Sequence, residues 1–210
     1  MTEEEKEEVM RATHEEMMKC QSAFGQFILD FSQAEWCLYL ILLAMTRLPD
    51  AMARALFSGT RAKSIGQFIN AYISNTHPEG EEPPKIKQLQ AAIQQLNIID
   101  GTRSQLVHSG IGSFTRNGMV VSNEGRVSRY EHKHTFIISS KEIDDMSFDL
   151  SQISGYFHTY AFSLLNPMSC VSMPELPSTW RHKPPQRDSQ PSKTRRKPPK
   201  QPRPPKPSRA

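Results

Sequence analysis

Phe24, Ile28, Phe31, Glu35, Leu38, Leu42 and Met45 recur at alternating intervals of four and three residues. That spacing puts all seven on one side of an α-helix. It predicts a helix running to about Arg47, where Leu48-Pro49 stops it. Six of the seven are apolar; Glu35 is not. Ahead of this helix, Glu and Lys lie on several sides, with Val9, Met10, Met17 and Met18 as the main apolar positions. Residues 1–21 therefore read as a charged helical arm. A short helix from Asp50 to Phe57, closed by Ser58-Gly59, precedes one that Thr60 can cap and that carries Ile65, Phe68, Ile69 and Tyr72. The run NTHPEGEEPP, residues 75–84, is a loop by composition. Ile86, Leu89, Ile93, Leu96, Ile99, Arg103 and Leu106 then renew the helical spacing from Lys85 to about Ser109. Asp100-Gly101 predicts a kink or restart there, with Thr102 as a new cap.

After Gly110 the period changes. Asn117-Gly118 predicts a hairpin turn between Ser113-Phe114 and Met119-Val120-Val121, and Thr135–Ile138 is a second β-rich run. Ser139 with Glu142 fits a capping box, and Ile143, Met146, Leu150, Ile153, Phe157, Tyr160 and Leu164 give a last helical stripe ending at Asn166-Pro167. The expected fold is all-α: an up-and-down bundle of four to five helices over residues 22–168, with a small β-hairpin insertion (about 111–138) before the last helix.

Composition divides the chain again. Eleven of the 16 prolines lie between Pro174 and Pro207. Eleven of the 26 Lys/Arg but only one of the 22 acids, Asp188, lie from Leu176 onward, which leaves a body with 15 bases and 21 acids. The net charge of +4 averages an acidic body and a basic tail, and describes neither. Residues 169–210 are expected to be a disordered, proline-rich basic tail. Such a tail suits phosphate backbones, a proline-recognition groove, or simple solubility. Three cysteines without a CxxC pair make neither a disulfide framework nor a zinc ribbon. The start MTEEEKEEVM has no apolar core, and Trp36 to Met45 is too short to span a bilayer. The expectation is a soluble, cytoplasmic protein without membrane partners.

Chemistry concentrates where polar residues occupy apolar positions. Glu35 and Arg103 both sit in core stripes, and a charge facing a core is costly unless paired. The economical inference is that they meet across two packed helices, either as a structural ion pair or as part of a site. His108 follows Arg103 by five residues, a rotation of about 140°, so these two do not share a face. Ser104 and His108, about 40° apart, do. A second copy of the helix packed face to face would unite the groups.

The stretches FGQFILDFSQAEWCLYLILLAM, TRAKSIGQFINAY and TRSQLVHSG, in this order, resemble the HEPN (higher eukaryotes and prokaryotes nucleotide-binding) superfamily over roughly residues 22–165. The family motif is Arg, usually a polar residue, then His four to six residues after the Arg; Arg103, Ser104 and His108 match an R-x4-H version. Glu35, within AEW, falls at the family's acidic position in the first core helix. The residue after Arg is often Asn in that family and is Ser104 here.

The resemblance implies a metal-independent endoribonuclease without cofactors, a homodimer along the motif helices, and RNA at a composite site. Arg103 would grip the phosphate, His108 would act as general acid or base, Ser104 would orient one of them, and Glu35 would hold Arg103. It also implies a setting in defence or a toxin–antitoxin pair, with an antitoxin protein as partner. The alternative is a non-catalytic module that binds nucleotide, RNA or protein. His132 and His134 share a face if their segment is a strand but show no third metal ligand. Ser58-Gly59 lacks the rest of a phosphate loop, and Trp36 and Tyr39 read as packing residues.

Overall fold

The computed structural model describes residues 2–76, 83–123 and 135–183. These hold five helices: α1 (Glu3–Thr46), α2 (Asp50–Phe57), α3 (Ala62–Thr76), α4 (Pro84–His108) and α5 (Ser140–Leu165). Between α4 and α5 lie three strands, β1 (Gly110–Thr115), β2 (Gly118–Ser122) and β3 (Thr135–Ile138), in an antiparallel sheet of order β1-β2-β3.

The charged arm and the first core helix are one continuous helix of 44 residues. No proline interrupts residues 3–46, and a capping box starts the helix: Glu5 N–H donates to Thr2 Oγ1 (3.2 Å) and Thr2 N–H to Glu5 Oε2 (2.7 Å). It ends at Arg47 in the left-handed region (φ 52°), whose N–H donates to Leu43 O. The buried face runs through Cys20, Ala23, Phe27, Phe31, Ala34, Leu38 and Ile41. It is centred one residue before the stripe read from sequence, so Phe24, Ile28 and Glu35 stand at its edge. By length and composition α1 is the one helix among the described residues apolar enough to cross a membrane, and 44% of that apolar window is buried in the fold.

α1 makes its most extensive helix contact with α5. The stripe of α5 is buried from Ile143 to Tyr160, and its capping box is Ser139 with Glu142. Glu16 of the arm accepts a hydrogen bond from Ser140 N–H at 2.9 Å, tying the arm to the start of α5.

α3 begins at Ala62, so Arg61 rather than Thr60 precedes it, and its buried face is Ala62, Ile65, Gly66, Ile69 and Ile73. Phe68 and Tyr72 point outward. The loop at 75–84 falls mostly outside the described residues. α4 runs unbroken through Asp100-Gly101, with no restart there. Glycine in an exposed helical position costs only about 1 kcal/mol relative to alanine, and Asp100 is engaged within the helix by Arg103.

The hairpin turn is shifted by one residue. Thr115 pairs with Gly118, which leaves Arg116-Asn117 as the loop. Gly118 carries the positive φ (136°), and a Cβ there would overlap the Ile138 carbonyl of β3.

The packed body also extends past residue 168, where sequence had placed its end. Met173, Leu176 and Trp180 pack against the core, and His182 is buried. Residues 173–183 thus form a strap over the helices, although composition alone placed them in a solvated tail.

Candidate phosphate site and a buried polar clip

Arg103 lies on the core-facing side of α4, and its neighbours explain how a cation is tolerated there. Its guanidinium carbon is 4.7 Å from the centroid of the buried Phe31 ring on α1, a cation–π seat. Nη1 is 3.4 Å from Asp100 Oδ1, one turn back on the same helix. Nε is buried without a hydrogen-bond partner among the described residues. The side chain as a whole keeps 33% of its exposure.

Asp100, not Glu35, is therefore the direct partner of Arg103. Glu35 is half-buried and close enough to feel both charges. Burial raises its carboxyl above the usual range, Asp100 raises it further, and Arg103 and the Ala62 backbone N–H pull the other way. The expected meeting of Glu35 and Arg103 is a through-space interaction. Its physical reason is the position of Glu35 at the edge of the buried face of α1.

Ser104 and His108 are both exposed, one turn apart at the end of α4. Ser109 ends the helix, its N–H donating to Gln105 O. Thr102, the expected cap, is instead buried inside the continuous helix. The last two turns of α4 thus carry a seated cation, an exposed hydroxyl and an exposed imidazole. His108 stays about 140° around the helix from Arg103, so the two do not share a face of α4.

A second cluster was not anticipated. Asp149 on α5 is fully buried and accepts from Arg181 N–H (Oδ1, 3.1 Å), His182 N–H (Oδ2, 2.9 Å) and Gln95 Nε2 of α4 (Oδ2, 3.0 Å). Gln95 Nε2 also lies 3.0 Å from the carbonyl oxygen of His182. The His182 ring places Nε2 3.3 Å from Thr102 Oγ1, and Arg181 stacks on Phe148, Cζ 3.3 Å from the ring centroid. Burial lowers the pKa of His182 below its ordinary value, opposed by Asp149, Glu142 and Asp145. A buried carboxylate is tolerated only with such donors.

The sequence did carry a trace of this cluster. Ala92, Gln95, Ile99, Thr102 and Leu106 make a second stripe on α4, and Met146, Asp149, Ile153, Tyr156 and Tyr160 make one on α5. Each is apolar except where the clip is built.

Other candidates carry less. His132 and His134 lie outside the described residues, and among those described no group of three or more His, Cys, Asp or Glu could hold a metal ion. The Cys20 thiol, 3.6 Å from Glu16 Oε1, is pushed up to about 11 by burial and that carboxylate, which leaves it a poor nucleophile. A cavity of about 390 Å³ lined by Arg47, Tyr72, Thr76, Ile86, Tyr160 and Leu164 lies toward the start of α4, away from His108. Trp36 is half-exposed and tilted against Tyr39, with centroids 5.8 Å apart.

No protein-family model, curated protein or solved structure matches this chain.

Proposed function

We propose that this chain is a metal-independent endoribonuclease of the HEPN type, acting as a homodimer whose motif helices face each other. The observation that carries this reading is the seat of Arg103. A guanidinium is held against Phe31 and Asp100 in a side chain that keeps a third of its exposure, and Ser104 and His108 are exposed on the same two turns. A pre-positioned guanidinium is suited to bidentate phosphate contact and to charge developing on phosphoryl oxygens.

In a face-to-face pair of α4 helices in an up-and-down bundle, one His108 removes the ribose 2′-hydroxyl proton. The 2′ oxygen bonds to phosphorus as the bond to the 5′ oxygen breaks, and the other copy's His108 returns a proton to that leaving oxygen. The products are a 2′,3′-cyclic phosphate and a 5′-hydroxyl. Imidazole serves both steps because it titrates near neutral pH. Ser104, one turn from His108, orients the ring or a phosphate oxygen. Glu35 acts on Arg103 through space. A cytoplasmic setting with an antitoxin partner belongs to the same reading.

One observation favours the alternative of a non-catalytic RNA- or protein-binding module. Arg103 is already paired with Asp100 and stacked on Phe31, as a purely structural arginine would be. The two readings separate on labelled RNA in EDTA. Wild type should cleave, while Arg103→Ala and His108→Ala, folded and dimeric, should lose at least about a hundredfold in rate. Two folded variants that cleave as fast as wild type would leave the non-catalytic reading.

A further inference from the structure

At the end of the bundle remote from His108, the last turns of α1, α3 and α5 and the first turn of α4 leave a cavity of about 390 Å³ between them. Ile86, in its wall, stands about 26 Å before Arg103 along α4 at 1.5 Å per residue. The cavity is therefore separate from the candidate phosphate site. It has room for about 13 water-sized groups at ~30 Å³ each, and its size is that of small-molecule sites, roughly 300–1,000 Å³. Met45, Ile73, Ile86 and Leu164 give it an apolar wall. Its polar lining is Arg47, Tyr72, Thr76 and Tyr160, with no Asp, Glu or His. Thr76 spends its hydroxyl proton inside α3, on Tyr72 O and Ile73 O. A guanidinium and two phenols are left to donate.

Two of these donors have no task in the fold itself. Tyr160 keeps 3% of its exposure, and its ring stacks on Tyr156. Tyr156 donates to Lys85 O, whereas the Tyr160 hydroxyl has no hydrogen-bond partner among the described residues. A buried tyrosine hydroxyl ordinarily finds a partner, and phenylalanine would fill the same space without needing one. Burial also raises the Tyr160 phenol above its ordinary pKa, so it stays a protonated donor. Arg47 caps α1 in the left-handed region, φ 52°, the one non-glycine residue with positive φ among those described. Glycine is the usual residue at such a helix end. The Arg47 side chain is exposed and makes no ion pair among the described residues.

We infer that this cavity binds a monocarboxylate with an apolar body, about a dozen non-hydrogen atoms in all, its carboxylate held by Arg47 and the Tyr160 hydroxyl. An arginine grips a carboxylate through two parallel N–H bonds. The body lies along the wall of Met45, Ile73, Ile86 and Leu164, where burial of apolar surface supplies affinity. A lining of donors without acceptors selects the anion over a neutral or cationic head group.

The test titrates decanoate, which has that size, decanol and acetate into the full chain by calorimetry. Decanoate should bind at one site with a Kd below about 1 mM. Decanol should bind at least about tenfold more weakly, and acetate, which leaves the apolar wall empty, not measurably. Tyr160→Phe removes an oxygen that no described protein group uses, so the melting temperature of the free protein should hold while decanoate weakens about tenfold. Arg47→Gly suits the left-handed backbone and removes the charge; it should weaken decanoate about tenfold and leave decanol unchanged. Arg103→Ala should leave both affinities as they are, and RNA cleavage or its absence has no bearing on the result. The inference is overturned by an absence of saturable decanoate binding, by decanol binding as tightly as decanoate, or by unaltered decanoate affinity in both folded variants.

Discussion

Replacing Asp149 with Asn keeps the shape of the side chain and removes its charge and one acceptor. In the native clip both carboxylate oxygens are used, Oδ1 by Arg181 N–H and Oδ2 by His182 N–H and Gln95 Nε2. Hydrogen bonds to a charged group contribute about 1.5–3 kcal/mol each. An Asn oxygen in the Oδ2 position keeps two of the three without charge assistance, and its NH₂ then faces the Arg181 N–H. The expected loss is about 2–4 kcal/mol. It is capped, because the strap can leave the groove and let its N–H groups hydrate. Strap release should therefore precede unfolding of the helices. In a Trp36→Phe background, Trp180 fluorescence should become accessible to a quencher at urea concentrations where the helical circular dichroism is unchanged. Equal shielding of Trp180 and a stability within about 0.5 kcal/mol of the parent would refute the clip as the strap's anchor.

Acidification should release the strap as well. Burial holds His182 below its ordinary value of 6.5, so the released strap binds more protons just below that pH, and docking is complete above it and weakens as pH falls. Trp180 shielding that grows on acidification, or a pH dependence that survives His182→Gln, would contradict this. Gly118→Ala should cost more than about 2 kcal/mol, since φ is 136° and the new Cβ meets the Ile138 carbonyl; a melting temperature unchanged within error would count against the hairpin geometry. Asp100→Asn should destabilise by about 0.3–1 kcal/mol through loss of the part-exposed pair with Arg103, whereas Glu35→Gln should be neutral or slightly stabilising because burial already disfavours that carboxylate. Urea midpoints showing the reverse order would restore Glu35 as the direct partner.

Helices were legible where a single stripe was strong. α2, α4 and α5 stand within a residue or two of the bounds read from the sequence, and in α4 and α5 the 3–4 spacing of Ile86 to Leu106 and of Ile143 to Tyr160 marks part of the buried face. α1 was legible as a helix but not in its rotation. Residues at 27, 31, 34, 38 and 41 fit a helical face as well as those at 24, 28, 31, 35 and 38, and only packing against α5 chooses between them. That choice moved Glu35 to the edge and left Asp100 to hold Arg103. Asp100-Gly101 read as a break because local signals cannot register what tertiary packing on both sides supplies. The strap was invisible for a different reason. Trp180, Arg181 and His182 sit among prolines and cations, and their order depends on Asp149 and Gln95 from distant parts of the chain.

The most direct test of the proposed function is to incubate the purified protein with RNA in EDTA and identify the chemistry of any ends formed. Phosphoryl transfer by Arg103 and His108 alone yields 2′,3′-cyclic phosphate and 5′-hydroxyl ends at a rate that His108→Ala abolishes. Intact RNA, or the same ends from a folded, dimeric His108→Ala protein, would contradict it.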